Sequence, residues 1–159
     1  MYFVIYSLLY LISLLPWRVL YIFSDGIAFL LKHVIKYRVD VVHQNLIIAF
    51  PNKTEKERKQ IAYDFYQQFT DTFIETIKLL SISDKTFQKR FTSNVEVLNN
   101  LYPTGQSVQI MAGHFFNWEF ANWGVAKYGK YPFLAVFMPL SNKVFSKLIY
   151  DLRARYGSI

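Results

Sequence analysis

The chain of 159 residues has no cysteine, which excludes disulfides and any zinc site built on thiolates. Residues 1–17, MYFVIYSLLYLISLLPW, carry no charge at all. They also lack the basic start and small-residue cleavage site of a secretory signal, so the run reads as uncleaved. No internal repeat or low-complexity segment appears. His33 and His43 have no partners at the spacing a metal site needs, and no metal is expected. No serine or cysteine stands at a nucleophile elbow, which leaves direct group transfer simpler than a covalent enzyme intermediate. Acidic residues are few, 11 against 18 Lys and Arg, giving a formal charge of +7 on a chain that is 53% hydrophobic and 19% aromatic. Apolar and basic together fit a protein that sits on an anionic membrane or meets an acidic partner. A nucleic-acid binder does not need that much aliphatic and aromatic surface, and no nucleic-acid motif is present.

As a helix, residues 1–17 would reach about 25 Å, short of the roughly 30 Å hydrocarbon core of a bilayer. Pro16 interrupts the run, and residues 18–38 continue as a second apolar stretch, charged only at Arg18, Asp25 and its basic end. The expectation is a membrane anchor, either one spanning helix with a short re-entry or a pair of helices sunk in one leaflet. A buried hairpin of a soluble protein is the plain alternative. Lys32, Lys36 and Arg38 put the following residues on the cytoplasmic side. Next comes a helix, a Pro-Asn turn and a longer helix opened by a capping box, Thr54 with Glu57. Along that helix Ile61, Phe65, Phe69, Phe73, Ile77 and Leu80 recur at helical spacing. The run of Lys53, Lys56, Arg58 and Lys59 reads first as a solvated face, with contact to anionic lipid or a carrier as the sharper alternative.

Beyond Leu80 the pattern changes. Residues 81–106 read as one or two polar helices broken at Pro103–Gly105. SVQIMAG (107–113) and YPFLAVFMP (131–139) read as buried strands, each followed by a helix, the first closed by Gly129 and the second ending at Gly157. Strand, helix, strand, helix at this spacing predicts an α/β fold with a mainly parallel sheet. Reactive groups of such sheets gather beyond the carboxyl ends of strands, and His114 follows SVQIMAG directly. His114 and Glu119 are five apart, about 500° around a helix, so they meet only if a turn falls between them. Asn117 as N-cap supplies it, placing Glu119 in the first helical turn. An imidazole beside a carboxylate is held in one tautomer and becomes a stronger base, able to take a hydroxyl proton as the oxygen attacks an acyl carbon. The helix N-terminus and nearby amides are then candidates for oxyanion binding. The neighbouring Phe115, Phe116, Trp118, Phe120 and Trp123 either line an acyl-chain groove or are ordinary core and interface residues.

GHFFNWE resembles the H-x-x-x-x-E motif of the lipid A late acyltransferases, whose common form is G-H-x-G-N-W-E. WRVLYIFSD, VVHQNLIIAFPNKTEKER, FIETIKLLSIS and VFMPLSNKVFSKLIYDLRARYG are similar to that family in the same order. The resemblance implies a glycerolipid-acyltransferase-like fold and a bacterial inner-membrane enzyme whose catalytic part faces the cytoplasm. It implies no cofactor; the co-substrate is an acyl thioester, with acyl carrier protein as partner, and the acceptor a hydroxyl of a lipid A precursor or related glycolipid. By position His114 is the general base and Glu119 its partner, with Asn117 and Trp118 shaping the loop. Phe116 replaces the motif's second glycine. Met138 stands where many relatives have arginine, leaving Arg153 or Arg155 as substitute cations near substrate. Family members run to nearly twice this length. The expected division is therefore 1–38 as anchor and juxtamembrane helices, and 39–159 as the N-terminal part of the acyltransferase domain, incomplete at its C-terminus. The alternatives are the same chemistry on another lipid (aminolipid or phospholipid), or a catalytically silent membrane-bound binding module.

Overall fold

The computed structural model describes residues 1–113 and 117–158. Its α-helices are α1 (Tyr2–Ser13), α2 (Trp17–Phe29), α3 (Val39–Ala49), α4 (Glu55–Lys78), α5 (Asp84–Arg90), α6 (Val95–Leu101), α7 (Trp118–Tyr128) and α8 (Lys143–Arg155). They form two compact units, one of Met1–Leu14 with Thr76–Ile159, the other of Leu15–Glu75.

The second unit begins where Pro16, which has no N–H to give, separates α1 from α2. The Pro16 carbonyl accepts from the amides of Val19 and Leu20 and so opens α2. Along α2, Leu20, Ser24 and Ala28 are buried; along α4 the buried residues of this unit are Tyr66, Thr70 and Ile74. Both sets are spaced by four, so each forms a single ridge. At the centre Ser24 Oγ donates to Thr70 Oγ1 at 2.9 Å, and Thr70 also lies within bonding distance of its own helix carbonyls at Tyr66 and Gln67. Small polar residues here let the helices approach while their hydroxyls stay satisfied. Tyr21 OH donates to Glu75 at 2.7 Å, and Tyr66 OH to the Tyr37 carbonyl. The buried ridge lies one residue along from the stripe of phenylalanines read in the sequence. Phe65 and Phe73 are exposed; Phe69 stacks on Phe65 at 5.8 Å and meets Phe73 edge-on at 5.0 Å. The expected capping box is present: Thr54 N donates to Glu57 at 2.8 Å, and Glu57 N to Thr54 Oγ1.

In the first unit, Lys78 Nζ and Ser81 Oγ both donate to the Ser13 carbonyl, at 2.6 and 2.7 Å, and close the last turn of α1. Tyr2 OH donates to Asp151 on α8. The core is aromatic. Phe87 of α5 is fully buried, with its ring 3.7 Å from Trp123 and 5.2 Å from Phe120, both on α7. Trp123 meets Tyr156 at 4.0 Å on its other side. Gly124 makes room for this packing: a Cβ there would fall 2.1 Å from the Phe91 ring. Asn99 clamps the end of α7, donating to the Tyr128 carbonyl and accepting from the Lys130 amide.

The α/β fold predicted from the sequence is not what forms. The described residues hold no strand and no sheet. Residues 107–113 and most of 131–139 run without regular structure, and a single parallel bridge joins Phe133 to Ser158. Both segments are apolar and bounded by turn residues, which satisfies a strand pattern. A strand, however, is stabilised by a partner that takes its ladder of N–H and C=O groups, and among the described residues neither segment finds one. The expected spanning anchor is corrected too. No single helix among the described residues is long and apolar enough to cross a membrane, and α1 and α2 pass such a test only as a pair broken at Pro16.

Two predictions follow from this packing. Gly124→Ala gains helix propensity but forces Phe91 to move, a clash of the kind that costs about 1–3 kcal/mol. It should lower the urea midpoint, and Phe91→Leu in the same chain should restore part of the loss. Asp71 on α4 has its carboxyl pushed above the ordinary range by burial, with Glu75 and Asp25 adding repulsion against a hydrogen bond from Ser24. Folded Asp71 therefore holds its proton more tightly than unfolded Asp71, and stability is lost as pH rises above the usual carboxylate value of about 3.9. Asp71→Asn should be the more stable protein at pH 7, with the difference closing as the pH falls below that value, read from urea midpoints across the range.

Candidate active site

The start of α7 is built as the sequence implied. Asn117 is the N-cap: its Oδ1 accepts from the amides of Glu119 at 3.1 Å and Phe120 at 3.2 Å. Glu119 falls in the first turn, where a carboxylate is favoured by the positive end of the helix dipole. Its side chain is only 6% exposed. Phe120 and Trp123, on the same helix, hold this turn against Phe87 and belong to the core. Trp118 stays partly exposed. His114 and Phe116, with Phe115 between them, lie outside the described residues.

A carboxylate taken out of water needs a compensating cation. Arg153 of α8 provides it: Nε donates to Glu119 Oε2 at 3.0 Å and Nη2 to Oε1 at 2.6 Å. This is the two-pronged geometry that fits a guanidinium to a carboxylate. The guanidinium also lies 4.8 Å from the centroid of the Phe137 ring, which covers it. The helix that delivers Arg153 is itself well defined. Asn142 caps it through the amides of Val144 and Phe145, and Leu148 and Leu152 bury its inner face. An ionised carboxylate has about four acceptor positions. The fork from Arg153 uses two, so Glu119 keeps capacity for a further donor. At the helix N-terminus, a candidate for oxyanion binding, the amides of Glu119 and Phe120 are already committed to Asn117.

The other candidates are placed as follows. Arg155 points away from Glu119 and donates to the Leu80 carbonyl at 2.9 Å, tying the end of α8 to the turn after α4. Met138 is exposed, beside the Phe137 that covers Arg153. Among residues not singled out by sequence, Phe137 is the clearest addition. The Glu119–Arg153 pairing, 34 positions apart, was also not read. A signal for it exists: Arg153 sits four residues after Ile149 and beside Leu152, at the edge of the buried stripe of α8, so its head can reach inward.

Charge is unevenly divided. The unit of residues 1–14 and 76–159 has ten Lys and Arg against four Asp and Glu; residues 15–75 have eight against seven. Six of the seven net positive charges thus lie on the unit that contains His114 and Glu119. The basic run at the start of α4 is largely offset where it stands, by Lys53 with Glu57 and by Arg58 and Lys59 with Glu55.

Removing one partner of a buried charge pair leaves the other unpaired, at a cost of about 3–5 kcal/mol. Arg153→Ala should therefore destabilise the protein on that scale in urea denaturation. Arg153→Lys should recover only part of it, because an ammonium cannot supply two parallel N–H groups. Full stability in Arg153→Ala would show that Glu119 is not held as described.

The sequence model of the bacterial lipid A biosynthesis acyltransferases matches residues 1–158. A curated relative, the lipid A biosynthesis lauroyltransferase of Escherichia coli (strain K12), is 24% identical over 139 residues, which cover 86% of this chain and 44% of the relative. The chain thus spans less than half the length of that relative. No solved structure matches it. With the motif, its cap and a family match over almost every residue in agreement, the chain belongs to the bacterial lipid A biosynthesis acyltransferase family.

Proposed function

We propose that this chain carries the base-bearing part of an enzyme that moves a fatty acyl group from an acyl thioester to a hydroxyl of a lipid A precursor or related glycolipid. The observation that carries this reading is the buried, two-pronged Glu119–Arg153 pair at the first turn of α7, five residues after His114. In the proposed reaction His114 takes the acceptor hydroxyl proton as the oxygen attacks the thioester carbonyl. The C–O bond forms, the carbonyl electrons move to oxygen, and collapse of that intermediate breaks the C–S bond. The thiolate leaves and takes up the proton held by the imidazole. Glu119 keeps the imidazole in one tautomer and stabilises its cation. Arg153 fixes Glu119 in place and keeps it from drawing solvent.

No cofactor is needed for this chemistry. Acyl carrier protein as donor suits the excess positive charge of the unit containing the site. The acceptor is a membrane lipid, and the exposed apolar side chains of α1 (Phe3, Val4, Leu8 and Leu11) and of α2 (Ile22 and Phe23) each suit contact with the cytoplasmic face of a bacterial inner membrane. An acceptor of another lipid class would use the same groups. The alternative of a silent binding module draws on the resemblance, which implies an arginine where this chain has Met138, an exposed residue.

The test is acyl transfer from labelled acyl carrier protein to a lipid A precursor, in membranes containing the full-length parent of this chain. His114→Ala should lower the rate by about 10²–10⁴-fold, and Glu119→Gln should lower it with little change in apparent affinity for the acceptor. Turnover unaffected by His114→Ala would remove His114 from the role of base. Binding of the acceptor with no turnover by any form would favour the silent module.

A further inference from the structure

After α2 the helix widens into a single π-helical turn, Leu30–Val34. Such turns are rare and often mark functional sites. Two basic residues just beyond it, Lys36 and Arg38, take left-handed backbone conformations without being glycine (φ 54° and 52°). A shallow recess with a cavity volume of about 50 Å³ lies between this turn and α4. That is far below the roughly 300–1,000 Å³ typical of pockets for whole drug-sized ligands, so its occupant is a small group held at the surface.

The polar side chains lining it are of both signs. Lys32 Nζ stands 5.0 Å from the Tyr63 ring and makes no ion pair with Asp25. Gln67 Nε2 donates to both Asp25 Oδ1, at 3.0 Å, and Tyr63 OH, at 3.1 Å, which leaves the phenol proton of Tyr63 available to an acceptor. His33 lies on the same rim, its ring packed on Phe29 at 4.7 Å. Lys32, His33 and Tyr63 can thus donate to an anion at one end, while Asp25 offers a carboxylate oxygen at the other. Asp25 and Lys32, seven residues apart on α2 and its widened turn, both line the recess, so a carboxylate and an ammonium face it at separate points. A small group that joins a phosphate to an ammonium through a short linker can meet both. Around the mouth Phe29, Leu30, Val34 and Ile35 expose apolar surface. A purely anionic ligand would leave Asp25 facing like charge; a zwitterion satisfies both ends.

We infer that this recess binds the phosphoethanolamine headgroup of a membrane phospholipid, with its phosphate toward Lys32 and its ammonium toward Asp25, fixing the depth and orientation of residues 15–75 at the bilayer surface. This rests on the membrane contact proposed above. It concerns neither His114 nor Glu119.

The test is co-sedimentation of the full chain with three vesicles: phosphatidylcholine alone, phosphatidylcholine with phosphatidylethanolamine, and phosphatidylcholine with phosphatidylglycerol. Binding about tenfold tighter to the ethanolamine vesicles, or 1.4 kcal/mol, is expected over phosphatidylcholine alone. Asp25→Asn and Lys32→Gln should each abolish that preference, with binding to phosphatidylcholine unchanged as the check on folding. Lys56→Gln, the same loss of charge on α4 away from the recess, should keep it. A preference for phosphatidylglycerol reduced equally by Lys32→Gln and Lys56→Gln would overturn the site in favour of diffuse surface charge. Binding to none of the vesicles would overturn the membrane contact itself, and the headgroup site with it.

Discussion

A carboxylate buried at the first turn of a helix constrains everything placed around it. Glu119 cannot remain out of water alone, and the guanidinium of Arg153 reaches it only if α8 lies alongside α7 with Leu148 and Leu152 turned inward. That packing requires Phe87 and Trp123 to fill the space behind Glu119, and it requires a glycine at 124 so that Phe91 can close over α7. Asn117 then sets where α7 begins, and so how far Glu119 lies from the preceding loop. The ion pair, the aromatic core and the cap are one arrangement seen from three sides.

The two compact units differ in what holds them. Residues 15–75 rest on two buried ridges that meet at the small polar side chains of Ser24 and Thr70, with little net charge. The other unit rests on large aromatic rings and carries nearly all of the net positive charge. Of its four acidic residues, Asp84, Glu119 and Asp151 are each paired with a lysine or arginine. On the proposed reading the excess charge suits the unit containing the site to an acidic acyl donor.

Local signals were legible in the sequence because they depend on few residues. The Thr54–Glu57 box, the Pro16 break, the Asn117 cap and the helix around Lys143–Arg155 all formed as read. What was not legible depends on partners distant in the chain. SVQIMAG and YPFLAVFMP have strand composition, but no composition supplies the neighbouring strand, and the described residues contain none. The phenylalanine stripe of α4 was the most hydrophobic face, yet the buried face is Tyr66, Thr70 and Ile74, because Ser24 and Ala28 on α2 are small enough to admit close packing there. Of the candidate site, Asn117 and Glu119 were readable from spacing. That Arg153 rather than Arg155 meets Glu119 was not: the two lie about 200° apart around α8, and which side turns toward α7 depends on how the helix packs.

The most direct measurement is a double-mutant cycle on the pair itself, with Glu119→Gln, Arg153→Met and the double variant compared with the parent by urea unfolding. If the buried pair organises this unit, the single changes should each cost far more than their share of the double change, with a coupling energy at the upper end of the 0.5–3 kcal/mol seen for contacting residues. Additive effects, with coupling within about 0.5 kcal/mol of zero, would contradict the account.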